Sequence, residues 1–359
     1  MLRVLSRVCC TVFCSRVPHS GSLKTPYLQS VFALNLGHSS VARAAQNMDE
    51  CSSERSKNVA SKLCTGMEEL TVEDFGNHQN KQKSPEGDSR SDHLTRTSDN
   101  TRDAGVYSVI VHELKALSPS VIEVVLQCEQ KPPAFTFKAG QWVDLFIPNL
   151  ETVGGFSMFS SPTELNENNQ LKLAVKYSTH PPALWMHDQC KIGDKLQVRV
   201  GGDFYYLGDN SGHDRPIMLI AGGVGINPLC SIIRYIEQCK RVGVIRKSLP
   251  LCLLYSSKIK DELIFKDEFD NFASVDENFL PLYYTTNTQS ADSDESESNV
   301  HSRRIGRSDL ERALCFLTQT SEKTPTVDAY MCGPPPMIKT ITAELRSLKV
   351  DNIHFEQWW

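Results

Sequence analysis

The pattern of hydrophobic and polar positions changes texture twice along the chain. From Tyr107 it runs in short β-rich stretches, YSVIVHEL, VIEVVLQC, QWVDLFIP, FSMFSS, LKLAVKY and KLQVRV, separated by Pro, Gly and Asn. In the fifth, Leu171, Leu173, Val175 and Tyr177 alternate with Lys172, Ala174 and Lys176, the period of two that a half-buried antiparallel strand requires. Short strands at this spacing predict a small antiparallel β-barrel over residues 104–212. After Arg215, apolar strands (IMLIA, LPLCLLYSS, FLPLYYT, VDAYMC) alternate with helical segments. That alternation predicts a doubly wound parallel α/β sheet over residues 213–359.

The flanking regions read differently. Residues 1–48 hold Arg3, Arg7, Arg16, Lys24 and Arg43, many small residues, and no acid before Asp49. This bias predicts a mitochondrial transit peptide; the alternative is a secretory signal, because VLSRVCCTVF is short and apolar although Arg7 interrupts it. Residues 49–103 are rich in charge and poor in large apolar side chains, and are expected to form a disordered linker. The polar stretch 287–304, which carries SADSDESES, is expected to be a solvated surface insertion in the second domain. No apolar run is long enough to cross a membrane as a helix.

Composition narrows the chemistry. At 359 residues, 40% hydrophobic and 23% charged, the chain has apolar material for two cores with some length to spare. A net charge of −5 without a basic stripe argues against nucleic acid as the main partner. The 12 cysteines lie mostly as singles inside apolar runs, as reduced buried thiols do. Without a CxxC pair or a close Cys/His cluster, no zinc or iron–sulfur site is expected, and any redox centre would be an organic cofactor. GGFSMFS is not a nucleophile elbow, and no His pairs recognisably with an acid, so hydrolase chemistry is set aside.

Two glycine turns carry the candidate chemistry. In IMLIAGGVGINPL, a buried strand ends at Ala221, and Gly222, Gly223 and Gly225, with Val224 and Ile226 around them, let the backbone turn tightly and approach a ligand. Asn227 is expected to cap the next helix and Pro228 to sit in its first turn. Leu229, Ile232, Ile233 and Ile236 then recur at the spacing of one helix face. A helix N-terminus after such a turn suits a pyrophosphate. In VDAYMCGPPPM, a second buried strand leads into Cys332, Gly333 and Pro334, with Met337, Ile338, Ile341 and Leu345 on the following helix. Both turns leave the carboxyl ends of strands in one parallel sheet, where a dinucleotide can span them.

AGGVGINPL and YMCGPPPM, in this order behind a β-rich domain, resemble the ferredoxin–NADP reductase and cytochrome b5 reductase superfamily over residues 104–359. The resemblance implies a flavin-binding barrel, an NAD(P)-binding domain, and transfer of hydride from nicotinamide to FAD and of electrons to a separate acceptor. AGQWVDLFIP matches a barrel strand of the family, and GGDFYY a later segment, with Asp203 where a glycine is usual. The family's Arg-x-Tyr-Ser flavin motif aligns with Gly154 to Ser157: Gly154 replaces the Arg, Phe156 replaces the Tyr, and Ser157 remains. Its second phosphate loop aligns with His180, Pro181, Pro182 and Ala183, leaving Lys176 as a candidate cation. By the same resemblance, Ser157, Cys332 and Glu356 are the candidate catalytic residues, with Trp358 beside Glu356 in the tail.

Thr285 and Thr286 follow FLPLYY with no cation before the acidic insertion, which favours NAD(H) over NADP(H); Lys258 and Lys260 are the cations another loop would bring. The expected function is an NADH-dependent oxidoreductase with an unidentified protein or small-molecule acceptor. The alternative is a non-catalytic NAD(H)-binding or interaction protein with a degenerate flavin site.

Overall fold

A computed structural model describes residues 93–208, 215–287, 299–318 and 326–357. The expected transit peptide, the first part of the expected linker and the Trp358–Trp359 tail lie outside these residues. So does the core of the acidic insertion.

The first domain is built from β1 (Tyr107–Ser118), β2 (Val121–Cys128), β3 (Trp142–Phe146), β4 (Gly154–Ser157), β5 (Gln170–Lys176) and β6 (Lys195–Gly201). They form one antiparallel sheet in the order β4-β3-β6-β1-β2-β5, and an antiparallel bridge from Met158 to Leu173 brings its two edges together. Alternation decides what faces inward: Leu171, Leu173 and Val175 are buried with Val109, Val124, Val143, Leu145 and Val198. Tyr177, expected to continue the inward face of β5, lies beyond its end and is exposed. Two short helices interrupt the strands. The first, α2 (Pro162–Asn168), starts with a capping box in which Ser161 and Glu164 satisfy each other's backbone N–H groups. The second, α3 (Pro181–Asp188), begins with two prolines.

Ahead of the barrel, α1 (His93–Arg96) corrects the expected linker boundary, because residues 93–103 pack onto the barrel. His93 Nε2 meets Asp144 Oδ1 at 2.9 Å, and Arg102 Nε and Arg199 Nε donate to Asp144 Oδ2 at 2.9 and 2.8 Å. Asp144 is fully buried on β3, so these three groups are what make its charge tolerable there. Composition could not show this, since the segment is ordered by a partner about 50 residues downstream.

The second domain is a parallel sheet in the order β10-β9-β8-β7-β11-β12, from β7 (Ile217–Gly222), β8 (Leu251–Ser257), β9 (Phe279–Thr285), β10 (Val300–His301), β11 (Asp328–Gly333) and β12 (Asn352–Gln357). Its central strands are apolar runs, as expected of strands buried on both faces. The helices α4 (Ile226–Val242), α5 (Lys266–Val275), α6 (Arg307–Thr318) and α7 (Pro335–Ser347) complete the winding. Leu229, Ile232, Ile233 and Ile236 of α4 are all buried in the core on one face of the sheet. The expected insertion is shorter than 287–304: β10 pairs with β9, Val300 opposite Tyr283 and His301 opposite Tyr284, so its last residues belong to the sheet.

Candidate functional site

The two glycine turns meet. Strands β7 and β11 are parallel neighbours, with Ala221 opposite Cys332, so both turns leave the same edge of the sheet side by side. A Cβ on Gly225 would fall 2.2 Å from the Cys332 carbonyl oxygen, and one on Gly222 would fall 2.8 Å from Pro334 Cδ. These glycines are needed because the turns touch. Gly223 differs: its φ of +56° lies in the left-handed region, and nothing stands within 4 Å of where a side chain would go. Its backbone is therefore open on that side.

Residues Gly223–Gly225 form a single 3₁₀ turn that runs directly into α4, whose first turn holds no acid. The partial positive charge of that helix end is therefore not offset by an acid in its own first turn. One expectation needs correcting here. Asn227 does not cap α4, because the 3₁₀ turn starts the helix earlier, with Gly225 at the cap position. Its Nδ2 instead donates to the carbonyl of Ala174 on β5, at 2.8 Å.

Asn227 begins a polar stripe that joins α4 to the barrel. Four residues on, Ser231 Oγ donates to the Ser160 carbonyl at 2.7 Å. One turn later, Arg234 donates through Nε and Nη2 to both oxygens of Glu268, at 2.8 and 2.7 Å, and reaches Glu164 of α2 at 3.4 Å. Its guanidinium lies over Phe159 of the first domain and Phe265 of the second. A second link runs from Lys176 Nζ to Glu262 at 3.0 Å, with Ser120 Oγ donating to the same carboxylate. Burial works against the ionised Glu262, but the hydrogen bonds from Ser120 and Lys176 outweigh it and hold its carboxyl below the usual range. The sequence reading missed this stripe, whose only signal was polar residues recurring at helical spacing on an otherwise apolar helix.

Of the candidate catalytic residues, the structure brings two together. Cys332 is fully buried at the end of β11, and Glu356 stands directly opposite it on β12. Next along the same two strands, Tyr330 stacks on His354 with ring centroids 4.7 Å apart. Ser157 is buried in the barrel opposite Trp142, and Phe156 lies opposite Val143. Two thiols of the barrel behave as structural groups: burial pushes Cys128 up to about 11, and Cys190, with Asp194 nearby, up to about 12. Among the described residues, no cluster of His, Cys, Asp and Glu could hold a metal, and no helix is long and apolar enough to cross a membrane.

The oxidoreductase NAD-binding domain family matches residues 219–343, which contain both glycine turns. A curated relative from Danio rerio, oxidoreductase NAD-binding domain-containing protein 1, is 38% identical over 275 residues, spanning 75% of this chain and 98% of the relative. The chain belongs to this family. It is also similar to the reductase component of propane 2-monooxygenase from Gordonia sp. (strain TY-5), 24% identical over 69% of this chain and 66% of that one. The fold matches the CS-b5R domains of human Ncb5or in the NAD+ form, with a TM-score of 0.56 and 19% identity over 70% of each chain. The protein is thus an NAD-binding oxidoreductase with the two-domain ferredoxin reductase fold.

The same fold implies FAD at the barrel, and the residues present do not fit it. Leu145 pairs with Gly154 and Val143 with Phe156, so Gly154 and Phe156 share the inward side of β4. A Cβ on Gly154 would fall 2.4 Å from the Phe156 ring and 2.8 Å from Pro182 Cβ. The Phe156 ring and Pro182 thus stand where the side chain of the implied arginine would begin, and the cavity beside α3, lined by Pro148, Leu150, Pro181, Leu184 and Trp185, offers no cation in its place. Lys176, the candidate replacement cation, is committed to Glu262.

Proposed function

We propose that the protein oxidises NADH by transferring hydride from nicotinamide C4 to an acceptor that enters the crevice beside Cys332 and Gly333. The balance is two electrons and one hydrogen to the acceptor as hydride, with a further proton from solvent, leaving NAD+. The observation that carries this reading is the meeting of the turns at Gly225 and Cys332 before the uncapped, acid-free start of α4. The pyrophosphate would lie on Gly223 and the first turn of α4, and the nicotinamide toward Cys332 and Glu356. Cys332 is then a wall of the nicotinamide site, and its burial suits positioning better than nucleophilic attack.

The preference for NADH over NADPH rests on the end of β9. Thr286 Oγ1 donates to the Ser257 carbonyl at 3.3 Å, so the strand end itself offers hydroxyls and backbone, while the Asn287 N–H bonds the Lys258 carbonyl at 2.8 Å and sets the exposed Lys258 beside it as the cation that NADPH would use. Arg303, which β10 brings to the same edge, is paired with Asp309. Titration of the full chain with NADH and with NADPH, followed by NADH oxidation against a panel of quinone and protein acceptors, tests the proposal. Tight NADH binding with oxidation by at least one acceptor is expected. Failure to bind either nucleotide would overturn it.

The acid-free, basic stretch 1–48 supports mitochondrial import as part of this proposal. Fusion of these residues to a fluorescent protein should direct it to mitochondria; appearance in the secretory pathway would replace that reading.

A further inference from the structure

We propose that this protein keeps no FAD as a resident cofactor, because the barrel has sealed the place of the flavin's phosphates with its own side chains. The inference rests on the NAD(H) reading only in that the second domain remains the dinucleotide site.

Three independent observations converge on β4 and α3. The first is steric. The Phe156 ring and Pro182 close over Gly154, so a side chain there would meet both, and the cavity of about 420 Å³ that remains beside α3, lined by Pro148, Leu150, Pro181, Leu184 and Trp185, has no charged side chain in its lining. The second is a loss of donors. Pro181 and Pro182 occupy the first two positions of α3 and have no N–H, and the Leu184 N–H is bonded to the His180 carbonyl at 2.9 Å. The two prolines thus remove two of the four N–H groups that a helix start would otherwise leave free for an anion. The third is charge. A diphosphate brings about two negative charges, and burying them without a partner is strongly unfavourable. Lys176, the candidate replacement cation, is tied to Glu262 at 3.0 Å, and Arg234 to Glu268 and Glu164, so these two cations hold the domains together instead.

The contrast with the second domain sharpens the point. At Gly223 the backbone is open, with a helix start free of acids; at Gly154 the same kind of residue is covered. One glycine serves a ligand, and the other serves packing between Phe156 and Pro182.

The experiment uses the full chain. It is incubated with excess FAD, desalted, and read by flavin absorbance per protein, while NADH binding is measured on the same sample. The expected result is NADH binding without retained flavin. One FAD kept per chain overturns this inference and leaves the NADH reading standing, whereas loss of NADH binding strikes the functional reading instead. The triple change Phe156→Ala, Pro182→Gly and Gly154→Arg removes both contacts at Gly154, restores one N–H to the start of α3 and supplies the bidentate cation, and should raise FAD affinity at least about tenfold. If that variant is folded by circular dichroism and gains nothing, the assignment of the seal to Phe156 and Gly154 is wrong. If it does not fold, the desalting result on the natural chain decides.

Discussion

Gly225 and the carbonyl of Cys332, 107 residues apart in sequence, are packed backbone against backbone, with no room for even a methyl group between them. Gly225→Ala must therefore push β7 and β11 apart at their carboxyl ends. The expected outcome is destabilisation of about 2 kcal/mol together with loss of NADH binding. Gly223→Ala separates the two effects, because it meets only the left-handed backbone cost of about 1 kcal/mol and no clash. It should keep most of the melting temperature yet weaken NADH binding severalfold. Equal affinity for NADH in Gly223→Ala and the natural protein would remove that residue from the site.

Asn227 links the dinucleotide turn to the barrel through Ala174, and the bond is buried on both sides. In Asn227→Ala the Ala174 carbonyl loses its donor without gaining water, which costs about 1–3 kcal/mol. Because the link crosses between domains, thermal unfolding is expected to lose cooperativity, with the two domains melting separately by calorimetry. A single, merely shifted transition would mean that Ser231 and Arg234 suffice.

These contacts show where the sequence was legible and where it was not. The strands of both sheets and the buried face of α4 follow from periodicity, which is a local property that any register of the fold must satisfy. The turns at Gly222–Gly225 and Cys332–Pro334 could be read because glycine and proline restrict the backbone wherever they stand. The role of Asn227 could not. Its side chain is equally suited to capping a helix or to reaching across, and only the position of Ala174 on another domain decides. The same holds for His93, whose order depends on Asp144, and for Gly154, whose meaning depends on Pro182 from a helix that follows a different strand. Gly154 read as a missing arginine; its structural content is the close approach of Phe156 and Pro182.

Asp144 gives a prediction in acid. Burial alone would raise its pKa, but hydrogen bonds from His93, Arg102 and Arg199 outweigh this and depress it below the ordinary carboxylate value. A depressed carboxyl contributes stability that is fully present above its unfolded pKa of about 3.9 and is lost as pH falls through the folded value. Asp144→Asn removes that contribution and the buried charge that the part-buried Arg102 and Arg199 face, so a loss of about 3 kcal/mol near neutral pH is expected. The variant should also show a flatter melting curve against pH below about 4. An acid limb identical to that of the natural protein would show that Asp144 is not the group being titrated.

His354 titrates in a separate window. It is stacked on Tyr330 between β11 and β12, and burial lowers its pKa, with Asp328 pulling weakly the other way. The folded chain thus prefers the neutral ring more than the unfolded chain does. This preference stabilises the fold fully above the unfolded pKa of about 6.5, and the contribution declines as pH falls toward the lower folded value. Mild acid should then loosen the edge strand β12, which carries Glu356 opposite Cys332, before the Asp144 carboxyl begins to protonate. His354→Phe keeps an aromatic stack and removes the proton site. Hydrogen exchange at the β12 amides is expected to quicken in the natural protein between neutral pH and about pH 5, after correction for the intrinsic rate, and to stay level in the variant. The same acceleration in both would assign the acid response of β12 to another group.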